Sequence, residues 1–418
     1  FYLSIPTIRS LMGSTIVLSL TLFPYIFLIL KYSFQNNALK IIESAANLGV
    51  SKIKLFFNFA VPISRPALVA GITLVIMETL ADFGVVSYLG INTLSVGIYK
   101  AWFGFDDLQS SARLSVVLLI FTLSIILVEK YLRRNKKENY TSLGQYTEVN
   151  SLFNSKITLP TCFLFLVVLL SFIIPIYWLI ANVSLQSFNS LTTVFYAALN
   201  SFKVAFIGAF TIISLAVFII FTKRIFKINI LSFIINFSKI GYAAPGIVIA
   251  IGVISPFIFI DKQINHFFSY FGKDIGLILS GSIAILIFAY LVRFLSVAFN
   301  PIESGLEKIS EKIDYSALNL GANKKTLLFK IHIPLIISSC LIAFLLIFID
   351  ILKELPITLI LRPFNYNTLS VLTFEYASSE QLAQAALPAL LITIIGLLPL
   401  IFINKILNYK EGKTNEYN

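Results

Sequence analysis

Two stretches far apart in the chain decide how it is built: ESAANLGVSKIKLFFNFAVP, from Glu43 to Pro62, and YSALNLGANKKTLLFKIHIP, from Tyr315 to Pro334. Each is a polar, basic segment that runs straight into a long apolar one. Gly49 precedes Pro62 by 13 residues, and Gly321 precedes Pro334 by the same 13. At a constant offset of 272, Glu78 falls on Asp350 and Asp82 on Glu354. After a three-residue insertion, Asn92-Thr93-Leu94-Ser95-Val96 recurs as Asn367-Thr368-Leu369-Ser370-Val371. Three such coincidences in one order mark an internal repeat.

The composition around these stretches sets the solvent. Of 418 residues, 58% are hydrophobic and 12% charged, with a mean hydropathy of +0.90. Soluble domains carry about 25% charged residues, so this composition excludes an ordinary soluble enzyme. It equally excludes a disordered chain, which is polar. A membrane span needs ~20 apolar residues. That window predicts nine helices, near 11–30, 66–86, 112–130, 157–181, 203–222, 240–260, 276–292, 336–355 and 387–404. The runs are too continuously apolar for barrel strands, which would alternate.

Lys and Arg alternate strictly between the gaps. Of 32 in all, 24 fall in the gaps 31–65, 130–156, 223–239, 293–335 and the tail from 405, and only 4 in the intervening ones. Basic loops face the cytoplasm. This places both matched stretches, the linker and the C-terminus on that side of the membrane. The net charge of +12 is thereby explained without a nucleic-acid partner. Cys162 and Cys340 both lie in apolar runs and have no metal-ligand spacing, and no signal-peptide pattern precedes the first span.

The fold expected is an all-α integral membrane protein, a polytopic helical bundle of two parallel six-helix repeats related by an axis along the membrane normal. Span 157–181 begins 164 residues before Gly321, whereas only 48 residues precede Gly49. The first repeat is therefore expected to lack its first three helices. Residues 1–130 form that repeat, 131–156 a cytoplasmic linker, 157–410 the complete second repeat, and 411–418 a polar tail.

Ala45-Ala46-x-Leu48-Gly49, then thirteen residues to Pro62, resembles the EAA loop of ABC importer permeases. Ala317, Gly321 and Pro334 repeat the pattern in the second half, where Tyr315 stands in place of the acid Glu43 and Asp314 lies one place earlier. The resemblance implies that Glu43, Ala45, Ala46, Gly49, Pro62, Ala317, Gly321 and Pro334 build coupling loops that seat in a cytoplasmic ATPase. Two loops in one chain imply two copies of that ATPase, with a periplasmic or lipid-anchored binding protein delivering the solute. No phosphate-loop motif G-x-x-x-x-G-K-[ST] is present. The chain is accordingly expected to be no enzyme and to bind no cofactor, with ATP-Mg held on the ATPase partner. Longer strings resemble fused ferric-iron permeases: Glu78 to Gly84, Tyr99 to Gly104, Lys353 to Pro356 and Thr358 to Phe364. The same layout is shared with thiamine permeases, so thiamine or another small solute is the alternative cargo, and an ion-coupled secondary transporter the alternative class.

Ionisable residues within apolar helices mark transport pathways. Glu78 and Asp82 share one helix face, as do Asp350 and Glu354 on the matching helix. These four carboxylates are candidate transient ligands for a hard cation, with Lys353 as ion-pair partner or brake. The bland alternative is that Gly84 and Pro356 end both helices nearby, leaving the acids as interfacial caps. His266 is expected in a solvated loop and His332 in a structural role. Tyr88, Arg362, Tyr366, Glu375 and Glu380 are candidate contacts for a binding protein. Trp102 and Trp178 fit an interfacial aromatic belt.

Overall fold

The computed structural model describes residues 8–34, 45, 48–133, 159–183 and 191–415. Glu43, Ala46, most of the linker and the last three residues lie outside the described residues. Every regular element described is helical, as a chain in hydrocarbon requires, because a helix satisfies its own backbone polar groups. In chain order they are α1 (Leu11–Ser33), α2 (Arg65–Ala81), α3 (Gly84–Tyr88), α4 (Leu94–Tyr99), α5 (Leu108–Arg133) and α6 (Thr161–Asn182). There follow α7 (Leu191–Phe226), α8 (Asn229–Ala243), α9 (Gly246–Ser269), α10 (Ile283–Glu307) and α11 (Glu311–Asn319). The chain closes with α12 (Ile333–Lys353), α13 (Pro356–Leu361), α14 (Leu369–Ser378) and α15 (Leu382–Asn415).

Among the described residues, eight helices are long and apolar enough to cross a membrane. A ninth crossing forms if Ile53–Ile63 and Arg65–Ala81, bent by 70°, count as one span. This agrees with the nine runs predicted, although several ends move. The run at 240–260 begins only at Gly246, after a break at Ala244 and Pro245, and continues to Ser269. His266 thus sits in the last helical turn of α9 rather than in a loop. The run at 276–292 becomes helix only from Ile283, and α10 extends to Glu307. At the chain's end, residues 411–415 continue α15.

The helices fall into two compact units, Phe1–Thr93 with Leu119–Trp178, and Leu94–Leu118 with Leu179–Asn418. In the first, α1 lies along α2, and the Ser10 hydroxyl caps α1 by accepting from Gly13 N at 3.1 Å. Across α6, Phe163, Phe165 and Tyr177 stand well exposed, the lipid-facing surface expected where the solvent is hydrocarbon. In the second unit, α7, α10 and α12 pack mutually, α8 lies along α10, α9 meets α13, and α15 covers α12 and α14. The core between them is apolar and fully buried, with Ile212, Ile285, Ala289, Phe299, Ala343 and Ile347 at its centre.

Candidate functional site

The two matched loops fold alike at each position that can be compared. Gly49 has φ +78° and Gly321 φ +85°, a left-handed turn that a side chain would strain. Beyond each glycine a short helical turn opens into a wide π turn, Phe56–Ala60 in the first loop and Leu327–His332 in the second. Pro62 and Pro334 then stand at the start of the next helical segment, where a missing N–H costs nothing. Ala45 and Ala317 are both buried. The leucine just before each glycine is almost bare, Leu48 at 84% exposure and Leu320 at 89%. A buried alanine beside an exposed leucine and a tight glycine elbow gives each loop an inner face on its own unit and an outer apolar knob.

The acids also repeat in local geometry. Helix α2 stops at Asp82, whose backbone turns extended (φ −65°, ψ 135°), and its carboxylate accepts from Val86 N at 3.1 Å in the first turn of α3. Helix α12 stops at Glu354 (φ −67°, ψ 116°), and its carboxylate lies 3.4 Å from Ile357 N in the first turn of α13. Pro356 explains the second break, since it has no N–H to offer the carbonyl of Leu352. Both acids therefore stand in a broken helix, at the joint between a long segment and a short one. Glu78 is half-buried, and Asp350 pairs with Lys353 at 2.8 Å.

Glu354 has a partner that the sequence reading missed. Arg293 Nη1 lies 3.0 Å from Glu354 Oε1, and both side chains are nearly sealed from solvent. By the Lys and Arg pattern alone, Arg293 falls at the edge of the cytoplasmic gap 293–335. It lies instead ten residues into α10, about 15 Å along the helix, because that helix runs past it to Glu307. The available signal was its setting in Phe288-Ala289-Tyr290-Leu291-Val292-Arg293-Phe294-Leu295, a lone charge within an apolar run. Around the pair, the Tyr290 hydroxyl and Thr358 Oγ1 lie 2.5 Å apart. The Thr358 and Ser370 hydroxyls donate to the Glu354 carbonyl at 2.7 and 3.0 Å. Gly246, first residue of α9, makes room: a Cβ there would overlap Arg293 Nη1 and lie 2.5 Å from Glu354 Oε1. Arg293 Nε is buried without a hydrogen-bond partner. Among the described residues, no three His, Cys, Asp or Glu side chains gather as a metal-holding group.

At the end of α13, Arg362 pairs with Glu375 at 2.6 Å and also bonds Asn367. Asn367 in turn accepts from Asn200 Nδ2 through its carbonyl at 3.1 Å. These bonds tie the repeated Asn367-to-Val371 string to α7 at Asn200, with Arg362 and Glu375 still partly exposed. Toward the other end of α9 from Gly246, buried Asp261 accepts from Leu279 N, Ser280 N and the Ser280 hydroxyl at 2.6–2.9 Å. Among the described residues, the His266 ring lies 3.4 Å from the Tyr270 hydroxyl.

Comparison with known proteins adds the class. Residues 2–137 match the family described as binding-protein-dependent transport system inner membrane component. The chain is 25% identical over 399 residues to the Fe(3+)-transport system permease protein FbpB 2 of Haemophilus influenzae, a match covering 94% of this chain and 76% of the relative. A 120-residue segment is 31% identical to the ferric transport system permease protein FbpB of Actinobacillus pleuropneumoniae, covering 28% of this chain and 18% of that one. A 141-residue segment is 26% identical to the molybdenum transport system permease protein ModB of Haemophilus influenzae, covering 32% and 59%.

Proposed function

We propose that the chain is a multi-pass inner-membrane permease of the ABC importer family, whose model its residues 2–137 match, and that it carries ferric iron. The observation supporting this cargo is the likeness to a ferric permease along 94% of the chain, against 32% for the molybdenum permease. A binding protein hands the ion to the permease on the periplasmic side. Two copies of an ATPase, which hold the ATP-Mg, dock on the loops around Gly49 and Gly321 on the cytoplasmic side. Glu43, Ala45, Ala46, Pro62, Ala317 and Pro334 complete those docking segments.

Glu78 and Asp82 in the first unit, and Asp350 and Glu354 in the second, serve as pathway acids each within its own unit. A hard trivalent cation favours oxygen donors, and both Asp82 and Glu354 stand at helix breaks, where irregular backbone in a membrane lines a protein interior or a water-filled cavity. At rest Arg293 neutralises Glu354 and Lys353 neutralises Asp350, so the empty pathway need not hold bare carboxylates. Release of Glu354 from Arg293 then exposes a negative site as the cation arrives.

The test is uptake of radioactive ferric iron by cells carrying the full-length gene with its ATPase and binding protein, with labelled molybdate and thiamine in parallel. The Asp82→Ala/Glu354→Ala double variant is run beside the wild type. Iron uptake that vanishes in the variant at unchanged membrane level supports cargo and pathway acids together. Uptake that survives returns the acids to a structural role, and accumulation of another solute removes the cargo.

A further inference from the structure

The second loop is tied into its unit by a buried knot of charge. Helix α7 is 36 residues long, about 54 Å, and Arg224 stands in its last turn. Its Nε donates to Asp314 Oδ2 at 2.6 Å, its Nη1 to the Leu306 carbonyl at 2.5 Å and its Nη2 to the Ile309 carbonyl at 2.7 Å. Leu306 belongs to the last turn of α10, and its carbonyl, which also accepts from Ile309 N at 3.1 Å, gains a charged donor in Arg224. Asp314 sits in α11, the helix of the second coupling loop. Its other oxygen, Oδ1, lies 2.7 Å from His332 Nε2, at the end of the π turn that leads into α12. One carboxylate thus joins α7, α11 and the entry of α12, while the guanidinium adds α10. The site is sealed, with Asp314 at 8% and His332 at 1% side-chain exposure. Phe221, Ala317 and Leu327 form the apolar cluster beside it, and the His332 ring stands edge-on to Phe221 at 5.4 Å.

The repeat makes this knot unequal between the halves. The offset of 272 that matches the loops puts Ile42 where Asp314 stands and Ala60 where His332 stands. The first loop has neither the acid nor the imidazole in register. Separating a buried ion pair leaves an uncompensated charge, which is strongly disfavoured, so α11 cannot shift without carrying α7, α10 and α12. Those are the three helices that pack mutually in the core of the unit.

Resting on the permease reading above, we propose that Arg224, Asp314 and His332 are positioning residues that transmit the motion of the second coupling loop to the transport helices. The second loop is thereby the stiff arm of an asymmetric stroke. The experiment reconstitutes the full-length permease with its ATPase and binding protein in proteoliposomes. It records phosphate release and solute uptake together, the solute being whichever of ferric iron, molybdate and thiamine the wild type accumulates. Asp314→Asn is expected to assemble with the ATPase and hydrolyse ATP within twofold of wild type, while solute carried per ATP falls tenfold or more. Asp314→Glu is expected to restore at least half of that ratio. Lys227→Gln, which removes an exposed pair with Glu311 in the same corner (3.5 Å), is expected to leave it unchanged.

An unchanged ratio in Asp314→Asn overturns the proposal. So does a fall in uptake that merely follows a fall in hydrolysis or in assembled complex. If Asp314→Asn does not reach the membrane, the same ratio measured in His332→Gln decides. A wild-type chain that fails to bring down any ATPase refutes the permease reading itself, and accumulation of a solute other than iron refutes only the cargo.

Discussion

Gly246→Ala is the sharpest single perturbation that the second unit offers. Gly246 opens α9 with Pro245 at its N-cap, and its φ is not in the left-handed region. By backbone preference alone the added methyl should stabilise the helix by roughly 0.5–1 kcal/mol. Space reverses the sign. The new Cβ would overlap Arg293 Nη1, lie 2.5 Å from Glu354 Oε1 and sit 3.0 Å from Pro356 Cγ. A guanidinium in water would swing away cheaply, but this one is nearly buried and held at 3.0 Å from its carboxylate. Overpacking costs about 1–3 kcal/mol, and breaking a buried pair about 3–5 kcal/mol. The two costs overlap, since the clash acts by prising the pair apart; subtracting the helix gain from the pair's loss alone leaves a net loss of about 2–4.5 kcal/mol. In purified protein in detergent, thermal unfolding should shift down by roughly 5 °C or more. The cause is separable by a cycle, because replacing the pair by apolar residues, Arg293→Met with Glu354→Leu, should itself be tolerated and should shrink the penalty of Gly246→Ala. A Gly246→Ala protein as stable as wild type, or one whose penalty is unchanged in that background, would refute the reasoning.

Other expectations follow from single residues. Gly49→Ala and Gly321→Ala meet no neighbour within 4 Å, so each should lose only the ~1–2 kcal/mol of a left-handed side chain, seen as a modest fall in thermal midpoint without a cavity or clash. Asp261→Asn weakens a buried carboxylate that accepts three bonds from Leu279 and Ser280. At about 1.5–3 kcal/mol for a charged hydrogen bond, limited proteolysis should cut the segment before α10 much sooner in the variant. Asp107 takes bonds from the Ser110 hydroxyl and N–H, which hold its carboxyl below the usual aspartate range. The stability this cap gives α5 is therefore complete above the ordinary aspartate value and fades as pH falls through the lowered one. Hydrogen exchange in the first turn of α5 should show that acid loss in wild type and not in Asp107→Ala.

The span pattern was legible because composition alone decides it: ~20 apolar residues have only one backbone solution in hydrocarbon. The repeat was legible because Gly321 and Pro334 keep the spacing of Gly49 and Pro62. The helix breaks at Asp82 and Glu354 were readable in part, through Pro356 and through the match between the acids. The partner of Glu354 was not. Arg293 lies 61 residues away in sequence and Arg224 lies 90 from Asp314, and such pairings follow from how helices pack rather than from any local pattern. The end of α10 was misplaced for a related reason. An arginine in an apolar run reads as the edge of the membrane until the structure supplies the carboxylate that lets it stay inside.

The wide turns at Phe56–Ala60 and Leu327–His332 have a mechanical consequence. A π turn holds one residue more than its α-helical neighbours, so it is slack wound into an otherwise taut rod. When that slack passes along the helix, the segment beyond it advances by one residue, about 1.5 Å with a rotation of about 100°, while nearly every backbone hydrogen bond is exchanged rather than lost. Each matched loop stores one such increment at the same place, just before Pro62 in the first and Pro334 in the second. A loop pulled from outside thus has a ready gear for turning translation into twist.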